Sequence, residues 1–245
     1  ILVPAISIIA GFLVGALIML AWSYNPIEAY SSMFSSALGN MNGIGETIRG
    51  ATPLIFIAVG FAVASKTGFF NIGLPGQAQA GWLTSVWIAL AFSHLPSYIL
   101  LPFAIISGAL AGAIIAGIAG YLRAQFGTNE VISTIMLNYI VLYVCQYLMQ
   151  QIMPASLRTG TDTTKTIPVN IGWLSSMFGD SRINGGIFLA LIGLILYWYF
   201  MKKTTAGFEI KAVGLNPFAS RYAGMSSKKN IIVSMLISGA FSGLG

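Results

Sequence analysis

The chain has 245 residues, 56% hydrophobic and 7% charged, with a mean hydropathy of +0.83. A soluble domain carries about 25% charged residues, so the composition excludes an aqueous fold and asks for a bilayer as solvent. The 12 Lys and Arg against 6 Asp and Glu do not form the basic cluster on a soluble fold that a nucleic-acid surface needs. They separate long apolar runs instead, as cytoplasmic loops do under the positive-inside rule. One cysteine, Cys145, lies inside such a run and leaves no internal disulfide.

In chain order, the first predicted span runs from about Leu2 to Trp22, too long for the apolar core of a signal peptide and followed by no small-residue cleavage pattern. A connection over Ser23–Gly50 follows. The second apolar stretch has only 16 residues between Arg49 and Lys66, which at about 1.5 Å each falls short of a ~30 Å hydrocarbon core. It is expected to span thinly or to continue past Lys66 by snorkelling. Between Lys66 and Arg123 no Asp, Glu, Lys or Arg occurs, and spans are predicted at Leu74–Phe92 and Tyr98–Leu122, parted by the His94 turn. A fifth covers Val131–Ile152, a sixth Gly185–Met201, and a seventh starts at Ile231 and reaches Gly245 after 15 residues. A span needs roughly 20 residues. With Ile1 rather than Met at the start, the expectation is one transmembrane domain over 1–245, a segment of a longer protein. The predicted fold is an all-α polytopic bundle of six full spans and a truncated seventh.

Orientation follows from the loops. The connection over 202–229 holds Lys202, Lys203, Lys211, Arg221, Lys228 and Lys229 against Glu209 alone, so it is expected on the cytoplasmic side. Alternation then places Lys66, Arg123 and the N-terminal end of span one inside, and the 153–184 loop outside. The inner side collects 8 of the 12 basic residues.

Gly108, Gly112, Ala116 and Gly120 recur every four residues in the fourth span, with echoes at Gly11 and Gly15 and at Gly239 and Gly243. Such faces let backbones approach closely; packing inside the bundle is the expected use, and a dimer face the alternative. No phosphate loop, metal spacing or nucleophile–base pair is present, so the chain is expected to be neither an enzyme nor a metalloprotein. The spans hold no ionisable relay near their middles, unlike proton-driven machines. Their polar groups are neutral, among them Gln77, Gln79, Asn138 and Gln146. Such groups serve a neutral solute or helix-to-helix hydrogen bonds.

Two segments stand out from the hydropathy. In Gly68–Gln77 (GFFNIGLPGQ), three glycines and Pro75 interrupt a regular helix in apolar surroundings. Irregular backbone at membrane depth is tolerated only where protein or a water-filled cavity covers it. The functional reading is a break beside a translocation path, marked by Asn71, Gly73, Gly76, Gln77 and Asn138; the alternative is a tight inner-face loop. In the second segment, Asn216 suits a helix N-cap, Pro217 the first helical position and Gly224 the residue past the end. They outline a helix of about two turns on which Phe218 and Tyr222 share a face beside Arg221. So short a helix needs something to dock on.

Together, GFFNIGLPGQ, then FGTNEVISTIMLNYI over Phe126–Ile140, then GFEIKAVGLNPFASRYAGM over Gly207–Met225 resemble the permease subunits of bacterial ABC importers of the branched-chain amino acid, ribose and nucleoside class, and look most like the nucleoside permeases. One departure is Pro75, where that family commonly has an acidic residue. The resemblance implies a bacterial plasma-membrane importer working by alternating access. Its partners would be an ABC ATPase subunit carrying ATP and Mg, a second permease subunit, and an extracellular solute-binding lipoprotein. It further implies that Gly207, Glu209, Gly214, Asn216, Pro217, Phe218, Arg221, Tyr222 and Gly224 form the coupling segment that meets the ATPase. The binding protein would dock outside, on the loop holding Ile171, Leu174, Met177 and Phe178 beside Trp173. Alternatives are a permease for ribose-like sugars or branched-chain amino acids, and a channel or secondary transporter without an ATPase.

Overall fold

The computed structural model describes residues 2–160, 163–165 and 171–245. Parts of the expected outer loop, at 161–162 and 166–170, lie outside the described residues. Eleven α-helices occur among the described residues: α1 Leu2–Ala21, α2 Pro26–Leu38, α3 Met41–Lys66, α4 Leu74–Ala91, α5 Ser97–Phe126, α6 Glu130–Tyr147, α7 Gly172–Met177, α8 Gly186–Lys203, α9 Thr205–Leu215, α10 Pro217–Tyr222 and α11 Ser227–Leu244. A π-helical turn, Leu148–Ile152, extends α6. The only β feature among the described residues is an isolated bridge between Arg158 and Thr164.

Five stretches are long and apolar enough to cross a membrane: Val3–Ala21, Met41–Lys66, Ser97–Phe126, Glu130–Ile152 and Gly186–Lys203. Helices α4 and α11, expected as further spans, are 18 residues each and not among these five. On α11 the buried residues are Asn230, Ser234, Met235, Ser238, Gly239, Ser242 and Gly243, and these polar and small residues, with Lys228 and Lys229 in the first turn, keep its hydropathy low; on α4 Pro75, Gly76, Gln77 and Gln79 do the same.

The second span needs correction. The helix neither spans thinly from Arg49 nor continues past Lys66; it begins at Met41, ends at Lys66 and has 26 residues, about 39 Å at the helical rise. Glu46 and Arg49 are carried within it because they pair, Arg49 Nε donating to Glu46 Oε2 at 2.7 Å. The expected Ser23–Gly50 connection is likewise mostly helical. Asn25 caps α2 by accepting from the backbone N–H of Ile27 at 3.1 Å, and Pro26 opens the helix.

Contacts divide the chain into two units, with the boundary inside α3 at Arg49. The first holds the chain up to Arg49 and the segment ending at Asn184. Within it α1 packs on α2 through Phe12 and Tyr30, whose rings meet edge-on at 5.2 Å while the Tyr30 hydroxyl donates to Phe12 O at 2.8 Å. Of the two α1 glycines, Gly15 faces that hydroxyl, whereas nothing lies within 4 Å of a Cβ placed at Gly11. The start of α3 holds the 178–184 turn: Glu46 Oε1 accepts from the Arg182 backbone N–H at 2.8 Å and Asn42 Nδ2 donates to Gly179 O at 2.8 Å.

The second unit holds the rest of α3 with α4–α6 and α8–α11. Its centre is the crossing of α5 with α11, where a Cβ on Gly112 would meet Gly239 O and one on Gly239 would meet Gly112 O and Ala116 Cβ. The glycine row of the fourth span is thus spent on packing inside the bundle. Around it gather Ala64, Phe69, Ala116, Ala119 and Met235, and a second apolar cluster forms from Leu83, Val141, Cys145, Met149 and Met153.

Candidate functional site

The irregular backbone is confined to 67–73, between α3 and α4. Pro75, Gly76 and Gln77, expected to interrupt a helix, begin one: Pro75 sits in the first turn of α4, where a missing N–H costs nothing. Gly68 takes φ +75°, a left-handed conformation that turns the chain out of α3.

All five residues expected along a path come together at this turn. Asn71 and Gln77, each 1% exposed, form a reciprocal amide pair: Asn71 Nδ2 donates to Gln77 Oε1 and Gln77 Nε2 to Asn71 Oδ1, both at 3.1 Å. Asn71 Oδ1 also accepts from the Gly73 N–H at 2.9 Å, and its Nδ2 donates to Ser238 Oγ at 3.0 Å. That is the full complement of an asparagine amide, so Asn71 has no free group left for a solute. From α6, Asn138 grips the same turn at two points, donating to Ile72 O at 2.9 Å and accepting from the Gly76 N–H at 2.9 Å. A side chain at either approach would push the amides out of place. A Cβ on Gly73 would lie 2.8 Å from Gln77 Nε2, and one on Gly76 would lie 2.7 Å from Asn138 Oδ1. Unpaired polar groups are costly in a dry interior, and here the amides satisfy the backbone that the turn frees from helical bonding.

The segment between α8 and α11 is a pair of helices where one was expected. Helix α9 folds back on the end of α8: Thr204 caps it, accepting from the Gly207 N–H at 3.1 Å, and Gly207 itself lies against Phe200 O and Met201 Cα, which no side chain would permit. Gly214 lies against Lys66 O in the same way. Glu209 accepts from Asn230 Nδ2 at 2.9 Å. These three residues fasten α9 to the bundle.

The capped helix α10 follows the sequence expectation closely. Asn216 Oδ1 accepts from the N–H groups of Phe218 and Ala219, each at 3.0 Å, with Pro217 at the first helical position. Gly224, at φ +84°, closes the other end while Met225 N bonds back to Ser220 O at 3.0 Å. Ser220 is buried, and the opposite face is bare: Phe218 is 79%, Tyr222 96% and neighbouring Leu215 89% exposed, with Arg221 beside them. The expected outer-loop helix is α7, only six residues long, bounded by Ile171 and Phe178, with Leu174 buried and Trp173 and Met177 exposed.

Sequence reasoning missed α9 and the buried polar row of α11, Asn230, Ser234, Ser238 and Ser242, of which Ser238 is the partner of Asn71 and Ser234 that of Thr67. Their signal was the fourfold recurrence of Asn230, Ser234, Ser238 and Ser242, visible once the last apolar run is read from Ser227 rather than Ile231. Among the described residues no group of three or more His, Cys, Asp or Glu is placed to hold a metal.

Comparison with known proteins matches residues 43–245 to a family described as branched-chain amino acid transport system / permease component. The chain is 48% identical over 251 residues to the nucleoside ABC transporter permease protein NupB of Lactococcus lactis, covering 100% of this chain and 69% of that one. It is 43% identical over 243 residues to the guanosine ABC transporter permease protein NupP of Bacillus subtilis, covering 99% and 70%. To the glucose ABC transporter permease protein TsgB13 of Haloferax volcanii it is 31% identical over 252 residues, covering 99% and 66%. No solved structure matches.

Proposed function

Because the chain belongs to the permease-component family of the branched-chain amino acid transport systems, and is a multi-pass membrane protein within it, we propose that it passes nucleosides across a bacterial plasma membrane as one permease subunit of an ABC importer. The observation that carries the substrate class is the likeness, over the whole chain, to permeases whose names give nucleoside and guanosine transport. The energy comes from a separate ATPase subunit that holds ATP and Mg. A second permease subunit, identical or paralogous, completes the pathway, and an extracellular binding lipoprotein delivers the solute. Under the charge rule the 202–229 connection and the N-terminal end of α1 face the cytoplasm.

In this reading α10 is the contact with the ATPase. Its capped ends hold six residues helical, and its bare aromatic face, Phe218 and Tyr222, suits burial in a partner's cleft, the position in which aromatic residues contribute most to an interface. Gly207, Glu209 and Gly214 tie α9 to the bundle, so a pull on α10 reaches the spans. The turn at 67–73 stands beside the path, and Asn71, Gly73, Gly76, Gln77 and Asn138 give it a defined shape that closure of the ATPases re-orients as a body.

Uptake of labelled guanosine by cells carrying the complete importer tests the proposal. Phe218→Ala and Arg221→Glu should abolish uptake while the permease stays at normal abundance in the membrane. ATP-driven uptake that survives both changes would refute the coupling role of α10. The likeness to a glucose permease favours a sugar as the second reading; uptake of guanosine suppressed by excess glucose or ribose, and not by unlabelled nucleosides, would select it.

A further inference from the structure

Asn230, Ser234, Ser238 and Ser242 of α11 recur every fourth residue, and all four are buried. On an α-helix this spacing makes a slowly winding row along one side, and each member of the row has a partner. Asn230 Nδ2 donates to Glu209 Oε2 at 2.9 Å. Ser234 Oγ pairs with Thr67 Oγ1 at 2.8 Å, Ser238 Oγ accepts from Asn71 Nδ2 at 3.0 Å, and Ser242 Oγ donates to Leu74 O at 2.7 Å. The first contact belongs to α9, the next two to the turn between α3 and α4, and the last to Leu74, the first residue of α4. At about 1.5 Å per residue the row spans about 18 Å.

Apolar helix faces can slide past one another with little change in energy, but a hydrogen-bonded row in a water-free interior cannot, since each lost pair strands a polar group. The first pair has a defined polarity. The two protons of the Asn230 amide go to the Glu209 carboxylate and to Ser226 O at 3.0 Å, so the amide is oriented from both sides, and its bond to the carboxylate is charge-assisted.

We propose that Asn230 is a positioning residue of the transport reaction: its amide fastens α11 to Glu209, and α11 carries the displacement of the α9–α10 segment to the 67–74 turn through Ser234, Ser238 and Ser242. The inference rests on the reading of that segment as the ATPase contact. Asn230→Asp removes both donated protons and sets a second carboxylate against Glu209. Adding Glu209→Gln reverses the polarity of the pair, an amide at 209 now donating to a carboxylate at 230.

The test is made on the complete importer in proteoliposomes, with labelled guanosine as probe, by measuring ATP hydrolysed per nucleoside transported. Asn230→Asp should raise that ratio about tenfold, the scale set by losing a hydrogen bond to a charged group, with the half-saturating guanosine concentration unchanged. The Asn230→Asp/Glu209→Gln pair should bring it back to within about threefold of the parent, the residue of an imperfect exchange of a charge-assisted pair. Glu209→Ala, at a half-buried position, reads the same tie if Asn230→Asp does not accumulate, with the same rise expected. A ratio that the tie-breaking variants leave unchanged, or that the exchange does not restore, overturns the inference. Phe218→Ala measured alongside separates the two readings. If it raises the ratio and Asn230→Asp does not, only the role of Asn230 falls; if it leaves the ratio unchanged, the coupling reading falls and this inference with it.

Discussion

A single methyl group at the α5–α11 crossing should be enough to force the bundle apart. A Cβ on Gly112 would lie 2.8 Å from Gly243 Cα and 2.9 Å from Gly243 N, in addition to its contact with Gly239 O. Carbon atoms rest comfortably at about 3.5–4.0 Å, so α5 and α11 must separate by about 1 Å. All three obstructing atoms are backbone, and no rotamer change can relieve them. Overpacking of this kind costs typically about 1–3 kcal/mol, and the lack of a yielding side chain puts Gly112→Ala near the top of that range. At about 2–4 °C per kcal/mol for a chain of this size, the midpoint should fall by about 5–10 °C when the detergent-solubilised protein is heated and its folded fraction followed by fluorescence-detected gel filtration. Gly11→Ala is the matched control. Gly11 belongs to a similar small-residue pair, yet nothing lies within 4 Å of its added Cβ, and alanine is the better helix former by about 1 kcal/mol. Its midpoint should stay or rise. Equal losses from the two variants would refute the argument that close backbone contact, rather than glycine content, is what these positions supply.

Replacing Gln77 with Ala breaks the reciprocal pair and strands part of the buried Asn71 amide, a loss of about 1–3 kcal/mol. Membrane abundance should drop while the half-saturating nucleoside concentration holds; a large rise in that concentration would put Gln77 in contact with the solute. Asn216→Ala removes both capping bonds to α10, worth about 1 kcal/mol. Amide exchange over 217–222 should accelerate, with Asn216→Asp retaining protection. Glu46→Gln removes the charge that Arg49 and Arg182 share, and limited proteolysis should then cut the 178–184 turn sooner. An unchanged cleavage rate would show that the backbone bond from Arg182 alone suffices.

The helices of highest hydropathy were the most legible. Residues 2–21 and 97–126 give nearly uniform apolar runs, and their spans were drawn to within a few residues of α1 and α5. Helix α10 was legible for a local reason, since Asn216, Pro217 and Gly224 are end signals that act through their own backbone neighbours. The start of α3 was not. Glu46 and Arg49 read as the end of an apolar stretch because their pairing, and the Arg182 contact from 136 residues away, are long-range facts. The amide turn was half legible: its glycines announced irregular backbone, but the satisfaction of Asn71 by Gln77 and Ser238 joins side chains up to 167 positions apart. Pro75 was misread for the complementary reason, as a proline breaks a helix interior and starts a helix end.

The same distinction explains why α4 and α11, the two 18-residue helices outside the five most apolar stretches, hold central places in their unit. In water a buried face is apolar and hydropathy marks the core. In a bilayer, lipid accepts apolar side chains as readily as the protein interior does, so hydropathy gains nothing by facing inward, and close packing and hydrogen bonding draw helices together instead. Helix α11 follows that logic: every buried residue except Met235 is Asn, Ser or Gly. The glycines give up side chains so that α5 can approach, and the polar residues use the resulting proximity to bond α9 and the 67–74 turn. Backbone contact at Gly239 and Gly243 and hydrogen bonding at Ser238 and Ser242 are therefore interdependent. Apolar replacement of the serines alone would leave the amide turn short of partners, and bulkier residues at the glycines would pull those partners out of reach. A Gly112→Ala helix pair forced apart by about 1 Å should accordingly lose the Asn71–Ser238 bond as well. Combining Gly112→Ala with Ser238→Ala should then destabilise by clearly less than the sum of the two single changes, the signature of groups that share one contact. Strict additivity would mean that the glycine crossing and the polar row are separate devices.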